Sequence, residues 1–140
     1  MADNTAQEIT TDHAWHTTLA SALDALRPGG RPAFETRDPA YRAWQNWHPE
    51  ATLTFTQLPG GRRVEHWLDL LTVDLPLVTF RHTYRLHHHD GQLLTSTSPL
   101  RFRTRAEVEA DLAAAGFTVH AVHDAPDRPG RELVFQATRP

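Results

Sequence analysis

A single change of hydrophobic period constrains this chain more than any other feature of its sequence. Up to about residue 48 the apolar residues recur at helical spacing; from residue 51 they alternate with polar ones. An alternation of two is what a half-buried strand requires, because successive side chains point to opposite faces. Leu53 and Phe55 alternate with threonines as far as Pro59-Gly60-Gly61, and a second run spans Val64 to Val73. Asp74-Leu75-Pro76 then turns the chain into Leu77 to His88. Asp90-Gly91, a pair that tolerates the positive φ of a two-residue hairpin turn, returns it through Leu93 to Phe102. Four strands joined by short turns predict an antiparallel meander.

Helices and further strands flank this block. Trp15, Leu19, Ala22, Leu23 and Leu26 predict a helix over 12–27, capped by Thr11 or Asp12 and stopped by Pro28-Gly29-Gly30. An extended segment, Arg31 to Arg37, follows. Asp38-Pro39 reads as an N-cap and first helical position, opening a helix that places Ala40, Ala43, Trp44 and Trp47 on one face and ends before Pro49. Beyond the meander, Thr104-Arg105-Ala106-Glu107 is a capping box for a helix with Val108, Leu112 and Ala115 inward and Gly116 at its end. Two last strands, Phe117 to His123 and Arg131 to Thr138, flank a loop with Pro126 and Pro129-Gly130. The expected class is α/β with a mixed, largely antiparallel sheet and about three helices.

Composition narrows the function. At 140 residues, 39% hydrophobic and 22% charged, the chain is expected to form one domain, 1–140. No apolar run is long enough for a membrane span and residues 1–10 are polar, so a membrane role is not expected and a cytoplasmic location is. With no cysteine there is neither thiolate metal site nor cysteine nucleophile. A net charge of -3 argues against a nucleic-acid partner, which needs clustered positive charge. All 14 basic residues are arginine, a bias that points to a GC-rich, bacterial genome.

Three constellations carry chemistry, each with a plainer reading beside it. His87-His88-His89 invites a metal, with Asp90 or His82 as a third ligand, yet on a strand only His87 and His89 share a face and solvated residues are normal beside a turn. The expectation is no metal. Trp44 and Trp47, with Tyr41, form either an aromatic wall for a ligand or the buried stripe of a short helix. Arg81, Arg85, Arg101 and Arg103 either line an anionic pocket or pair with Asp69, Asp74 and Glu65 on a solvated sheet face. No Ser-His-Asp spacing, Walker loop or paired-carboxylate motif stands out, so the catalytic residues stay unassigned.

The segment Leu-Asp-Ala-Leu-Arg-Pro-Gly-Gly-Arg-Pro-Ala-Phe-Glu-Thr-Arg-Asp-Pro, 23–39, resembles the late half of class I S-adenosylmethionine-dependent methyltransferases, where such glycines lead the fourth helix into the fifth strand. Leu100-Arg101-Phe102-Arg103-Thr104, the capped helix and Ala114-Ala115-Gly116-Phe117 are similar to the next helix and the start of the last antiparallel strand pair. The meander, 51–103, resembles the small sheet that some members insert over the substrate. Asn4-Thr5-Ala6-Gln7, followed by Asp12-His13-Ala14-Trp15, looks like the turn leaving the fourth strand. The resemblance implies a partial Rossmann-like sheet and the C-terminal half of such an enzyme.

It also implies a small-molecule methyl acceptor and S-adenosylmethionine as cofactor. At the carboxyl end of the Arg31 to Arg37 strand, where open α/β sheets bind ligands, Glu35 and Arg37 would lie nearest the acceptor. Trp44 and Trp47 would serve as walls, Arg81 and Tyr84 would stand on the covering sheet, and Asn4 and Gln7 would sit on the cofactor side. The family's Gly-x-Gly-x-Gly turn is missing: Gly29-Gly30 and Gly60-Gly61 are the only glycine pairs, and neither opens a helix after a strand. The expectation is therefore a truncated or incomplete enzyme that lacks its N-terminal half, or a homo-oligomer closing over the missing side. A reading from another class is a non-enzymatic small-ligand-binding or oligomerisation module with a curved antiparallel sheet.

Overall fold

A computed structural model describes residues 4–140. These fall into two compact units, residues 4–42 with 100–140, and residues 43–99.

In the first unit, helix α1 (Asp12–Ala25) starts where Thr11 accepts a hydrogen bond from the Ala14 N–H, so threonine and not Asp12 is the cap. Its far end is closed by Arg139, whose guanidinium donates to the Leu23 and Leu26 carbonyls, a cation where the helix dipole favours one. Helix α3 (Arg105–Ala115) carries both halves of the capping box between Thr104 and Glu107. It ends at Gly116, whose φ of 106° is strained for any residue with a side chain, and a Cβ there would also press on the Leu23 side chain. Strands β1 (Ala33–Arg37), β6 (Thr118–Asp124) and β7 (Glu132–Thr138) form a sheet in the order β1-β7-β6, with both pairings antiparallel. Phe34 and Thr36 point inward from β1 in alternation. The core gathers Trp15 and Leu19 of α1, Val108 and Leu112 of α3, and Phe34, Phe117, Phe135 and Ala137 of the sheet region. Phe34 stacks on Phe135 at 5.4 Å and meets Trp15 edge-on at 5.8 Å. Pro32 stands just before β1, where a missing N–H removes no ladder bond.

The second unit is built on four strands in sequential order, β2 (Thr54–Leu58), β3 (Arg62–Asp74), β4 (Leu77–Leu86) and β5 (Gln92–Arg101). The last two residues of β5 belong to the first unit. The pairs β2–β3 and β3–β4 are antiparallel, with a bulge between Leu70 and Thr72. The meander is present as its period of two required.

Three local expectations are corrected. The helix expected to run from Asp38 to before Pro49 is two single 3-10 turns, Pro39–Tyr41 and Ala43–Asn46, separated by Arg42 in the left-handed region at φ 54°. A residue there ends a helix as surely as proline does. Pro49 does not stop a helix but opens one, α2 (Pro49–Thr52), from its first position. Finally, β4 ends at Leu86, and His87–His89 form a 3-10 turn leading into Asp90 and Gly91, both at positive φ. The hairpin loop is thus longer than the two residues expected, and the histidines do not alternate across a strand.

Candidate functional site

Unit 1 holds a buried polar cluster at the carboxyl end of β1. The cluster begins in a 3-10 turn, Thr5–Glu8, preceded by Asn4 in the left-handed conformation at φ 60°. That turn is pinned by Arg103, which is buried and donates to the Ala6 carbonyl at 3.2 Å and the Ile9 carbonyl at 2.7 Å. The same guanidinium lies 4.5 Å from the centre of the Trp15 ring. Burial, with nearby Arg101 adding to it, pushes Arg103 down to about 10, so it stays charged at neutral pH. Arg101 holds the next stretch, donating to the Thr10 carbonyl and pairing with Asp12 at 2.8 Å.

Pinned in this way, the turn presents Gln7 to β1. The Gln7 Oε1 accepts from the Arg37 backbone N–H at 3.3 Å and from its Nη1 at 3.0 Å. Asn4 donates from Nδ2 to Glu132 Oε1 at 3.2 Å, and Arg128 reaches the same oxygen at 3.1 Å. Arg128 also lies 3.6 Å from Glu35, and Glu132 stands opposite Arg37 in the β1–β7 register. Burial lowers the Arg37 pKa from its ordinary value, with Glu132 opposing the shift and Arg128 adding to it. Four of the residues expected to bind ligand, Asn4, Gln7, Glu35 and Arg37, therefore share one network with Arg128 and Glu132. Neither of these last two carried a sequence signal: each is one charged residue in or beside a loop, and only the pairing of β7 with β1 brings them in.

A concavity of about 380 Å³ at the other end of β1, lined by Arg31, Ala33, His120 and Gln136 among others, is less suggestive than the cluster. It lies at the amino end of β1, away from the four residues expected to bind ligand.

Unit 2 has a two-faced sheet. On one face His66, opposite Tyr84, stacks on it at 4.6 Å, and His66 Nε2 lies 2.7 Å from His82 Nδ1. Phe80 meets His82 edge-on at 5.0 Å and packs against Trp47 at 4.9 Å. Burial, reinforced by the charge of His66, lowers the His82 pKa from its ordinary value. The other face carries ion pairs, Arg81 with Asp69 and Arg85 with Glu65, with Arg85 above Trp67. His87 also pairs with Glu65, at 2.7 Å.

Tyr84 and Trp47 consequently share one face while Arg81 lies on the opposite one, and the odd spacing of 81 and 84 along a strand is the signal for this. Trp44 is buried in its 3-10 turn. The four arginines grouped in sequence do not form one pocket: Arg81 and Arg85 make surface pairs in the second unit, and Arg101 and Arg103 anchor the first. Among the described residues, no group of three or more His, Cys, Asp or Glu side chains is placed to hold a metal, and no helix is long and apolar enough to cross a membrane.

No family model matches the sequence, nor does any curated protein. Solved structures do match. An S-adenosylmethionine-dependent methyltransferase from Clostridium acetobutylicum superposes over 98% of this chain with a TM-score of 0.74 at 10% identity. CalS10, an amino pentose methyltransferase from Micromonospora echinaspora involved in calicheamicin biosynthesis, covers 99% with a TM-score of 0.68 at 20% identity. The sugar N-methyltransferase KedS8 from Streptoalloteichus sp. covers 98% with a TM-score of 0.72 at 16% identity.

The fold is that of S-adenosylmethionine-dependent methyltransferases.

The chain spans about half the length of these structures, 55%, 56% and 53% of them respectively. The expected partial Rossmann-like architecture, with its inserted antiparallel sheet, is therefore correct.

Proposed function

We propose that these 140 residues form the acceptor-side part of an S-adenosylmethionine-dependent methyltransferase acting on a small molecule. The observation that supports this best is the polar cluster at the carboxyl end of β1, on a fold shared with methyltransferase structures over nearly the whole chain. When bound, S-adenosylmethionine supplies an electrophilic methyl group. The protein's part is then to hold a nucleophile in line with that group, which accounts for much of the rate in such reactions. Glu35 and Arg37 are the residues nearest the acceptor in this reading. In the second unit, Trp47 and Tyr84 on the aromatic face of the four-stranded sheet are candidates of their own for apolar contact with a ligand, with Trp44 buried in the turn beside Trp47.

On the cofactor side, Asn4 and Gln7 have one hydrogen-bonding atom each still free, Oδ1 and Nε2, so the residues present fit a polar ligand. They are few. The sequence contains no glycine-rich strand-to-helix turn and no matching ribose-binding acid, so most of the grip on the cofactor comes from elements outside these residues. Calorimetry of the purified chain with S-adenosylmethionine tests this. The expected result is no useful binding; a dissociation constant in the low micromolar range would show that the 140 residues hold the cofactor unaided. Methyl transfer restored by adding a glycine-rich methyltransferase N-terminal half would support the acceptor-side assignment.

A further inference from the structure

The concavity of about 380 Å³ at the amino end of β1 arises from a local shortage of side-chain volume. Phe34, Phe135 and Ala137 turn into the core, so strand alternation turns Ala33 and Gln136 to the opposite face, where both are exposed. Gln136 pairs with Ala33 on one side and Ala121 on the other, and two methyl groups leave room around its amide. On β6, Val119 keeps register with Ala137 and Ala121 with Gln136, so His120 between them is the extra residue of a bulge. Bulges re-aim side chains, and His120 lines the concavity with its Nε2 hydrogen-bonded to the Thr138 hydroxyl.

The polar groups around this space are of one kind. Among the described residues that line it, Arg31, Gln136 and His120 all carry N–H donors and none is a carboxylate. Arg31 has no ion pair or hydrogen bond to any described residue, so its guanidinium is free. The acids nearby are already engaged: Glu35, next along the same face of β1, lies 3.6 Å from Arg128, and Glu109, in a neighbouring hollow that His120 also lines, pairs with Arg105 at 2.7 Å. From this we infer that the concavity is a binding site for a small organic anion, a carboxylate or a phosphate ester. Its charged head meets Arg31, and its apolar body lies on Pro32 and Ala33. A guanidinium offers paired N–H bonds that match two oxygens of such a head, and the Gln136 amide adds a further donor. A neutral molecule of the same shape loses the charge-assisted bonds. The site stands at the opposite end of β1 from Arg37 and its cluster, and it does not depend on the methyltransferase reading.

Nuclear magnetic resonance titration of the ¹⁵N-labelled chain at low salt reads the site through the Ala33 backbone amide and the Gln136 side-chain amide. Two matched pairs of probes separate the heads: benzoate against benzamide, and phenyl phosphate against phenol. The expected result is a saturable shift of both signals with at least one anion, and binding about ten-fold or more weaker for its neutral partner. The pair that shows the difference identifies the head. Arg31→Gln, at an exposed position, should weaken the anion about ten-fold or more while leaving the signals of Val108 and Leu112 in the core unchanged. Equal binding of charged and neutral partners, no saturable shift with either anion, or an Arg31→Gln variant that binds as well as the parent would each overturn the proposal. The measurement involves neither cofactor nor methyl transfer, so its failure is distinguishable from failure of the enzymatic reading.

Discussion

The two units solve the same problem, covering a small antiparallel sheet, in different ways. In the first, two helices close over one face of a three-stranded sheet, and Trp15, Leu19, Val108, Leu112 and Phe135 are essentially removed from water. In the second, only Trp44, Val78 and Phe80 among the hydrophobic residues are buried. Among the described residues, that unit also carries ten of the eleven large hydrophobics that remain exposed, from Leu53 through Leu94, the other being Tyr41. Its sheet is organised instead by side-chain pairs across strands, rings on one face and ions on the other. Hydrophobic burial scales with area removed from water, while cross-strand and surface ion pairs contribute only tenths of a kcal/mol to about 1 kcal/mol each. Stability is therefore expected to reside in the first unit, and adaptability of surface in the second.

The largest expected effect falls on Phe135, fully buried between Phe34 and the helices. Phe135→Ala should cost about 3–5 kcal/mol, from lost burial and the cavity left behind. Urea denaturation measures it, and a loss below about 1 kcal/mol would show that the first unit is not the tightly packed one.

Next comes Arg103→Met. It keeps much of the side-chain length over Trp15 but removes the guanidinium donor from the Ile9 carbonyl and leaves the Ala6 carbonyl with the Ile9 N–H alone. A loss of about 2–3 kcal/mol is expected, by the same measurement. Because those carbonyls belong to the turn that carries Gln7, the Asn4 and Gln7 side-chain amide signals should shift even where the rest of the spectrum holds. Unmoved signals would mean that the turn is set by other contacts.

Phe55→Ser should do least. The ring is half exposed on β2 and lies under Arg63 at 4.1 Å, so its removal should change stability by no more than about 0.5 kcal/mol. A much larger loss would sharpen the comparison in the opposite sense, by showing that the exposed hydrophobics of the second unit are covered in solution.

Some features of this molecule were settled by residues within four positions of one another. The Thr11 cap, the Thr104–Glu107 capping box, the glycine end at 116 and the alternating strands are all of this kind, because their hydrogen bonds and side-chain periods close locally. The break at Arg42 was not legible, since nothing in a Tyr-Arg-Ala sequence demands positive φ and the apolar spacing of Ala40, Ala43, Trp44 and Trp47 imitates a helix. The partners of charges were decided by tertiary structure alone. Arg81 and Arg103 look alike as a sequence, yet one ends in a surface pair with Asp69 and the other is buried against backbone carbonyls. Glu132 joins Asn4 across 128 positions of sequence only because β7 lies beside β1. A charge finds its role through whichever groups the fold places within about 3–4 Å of it, and no local period encodes that distance.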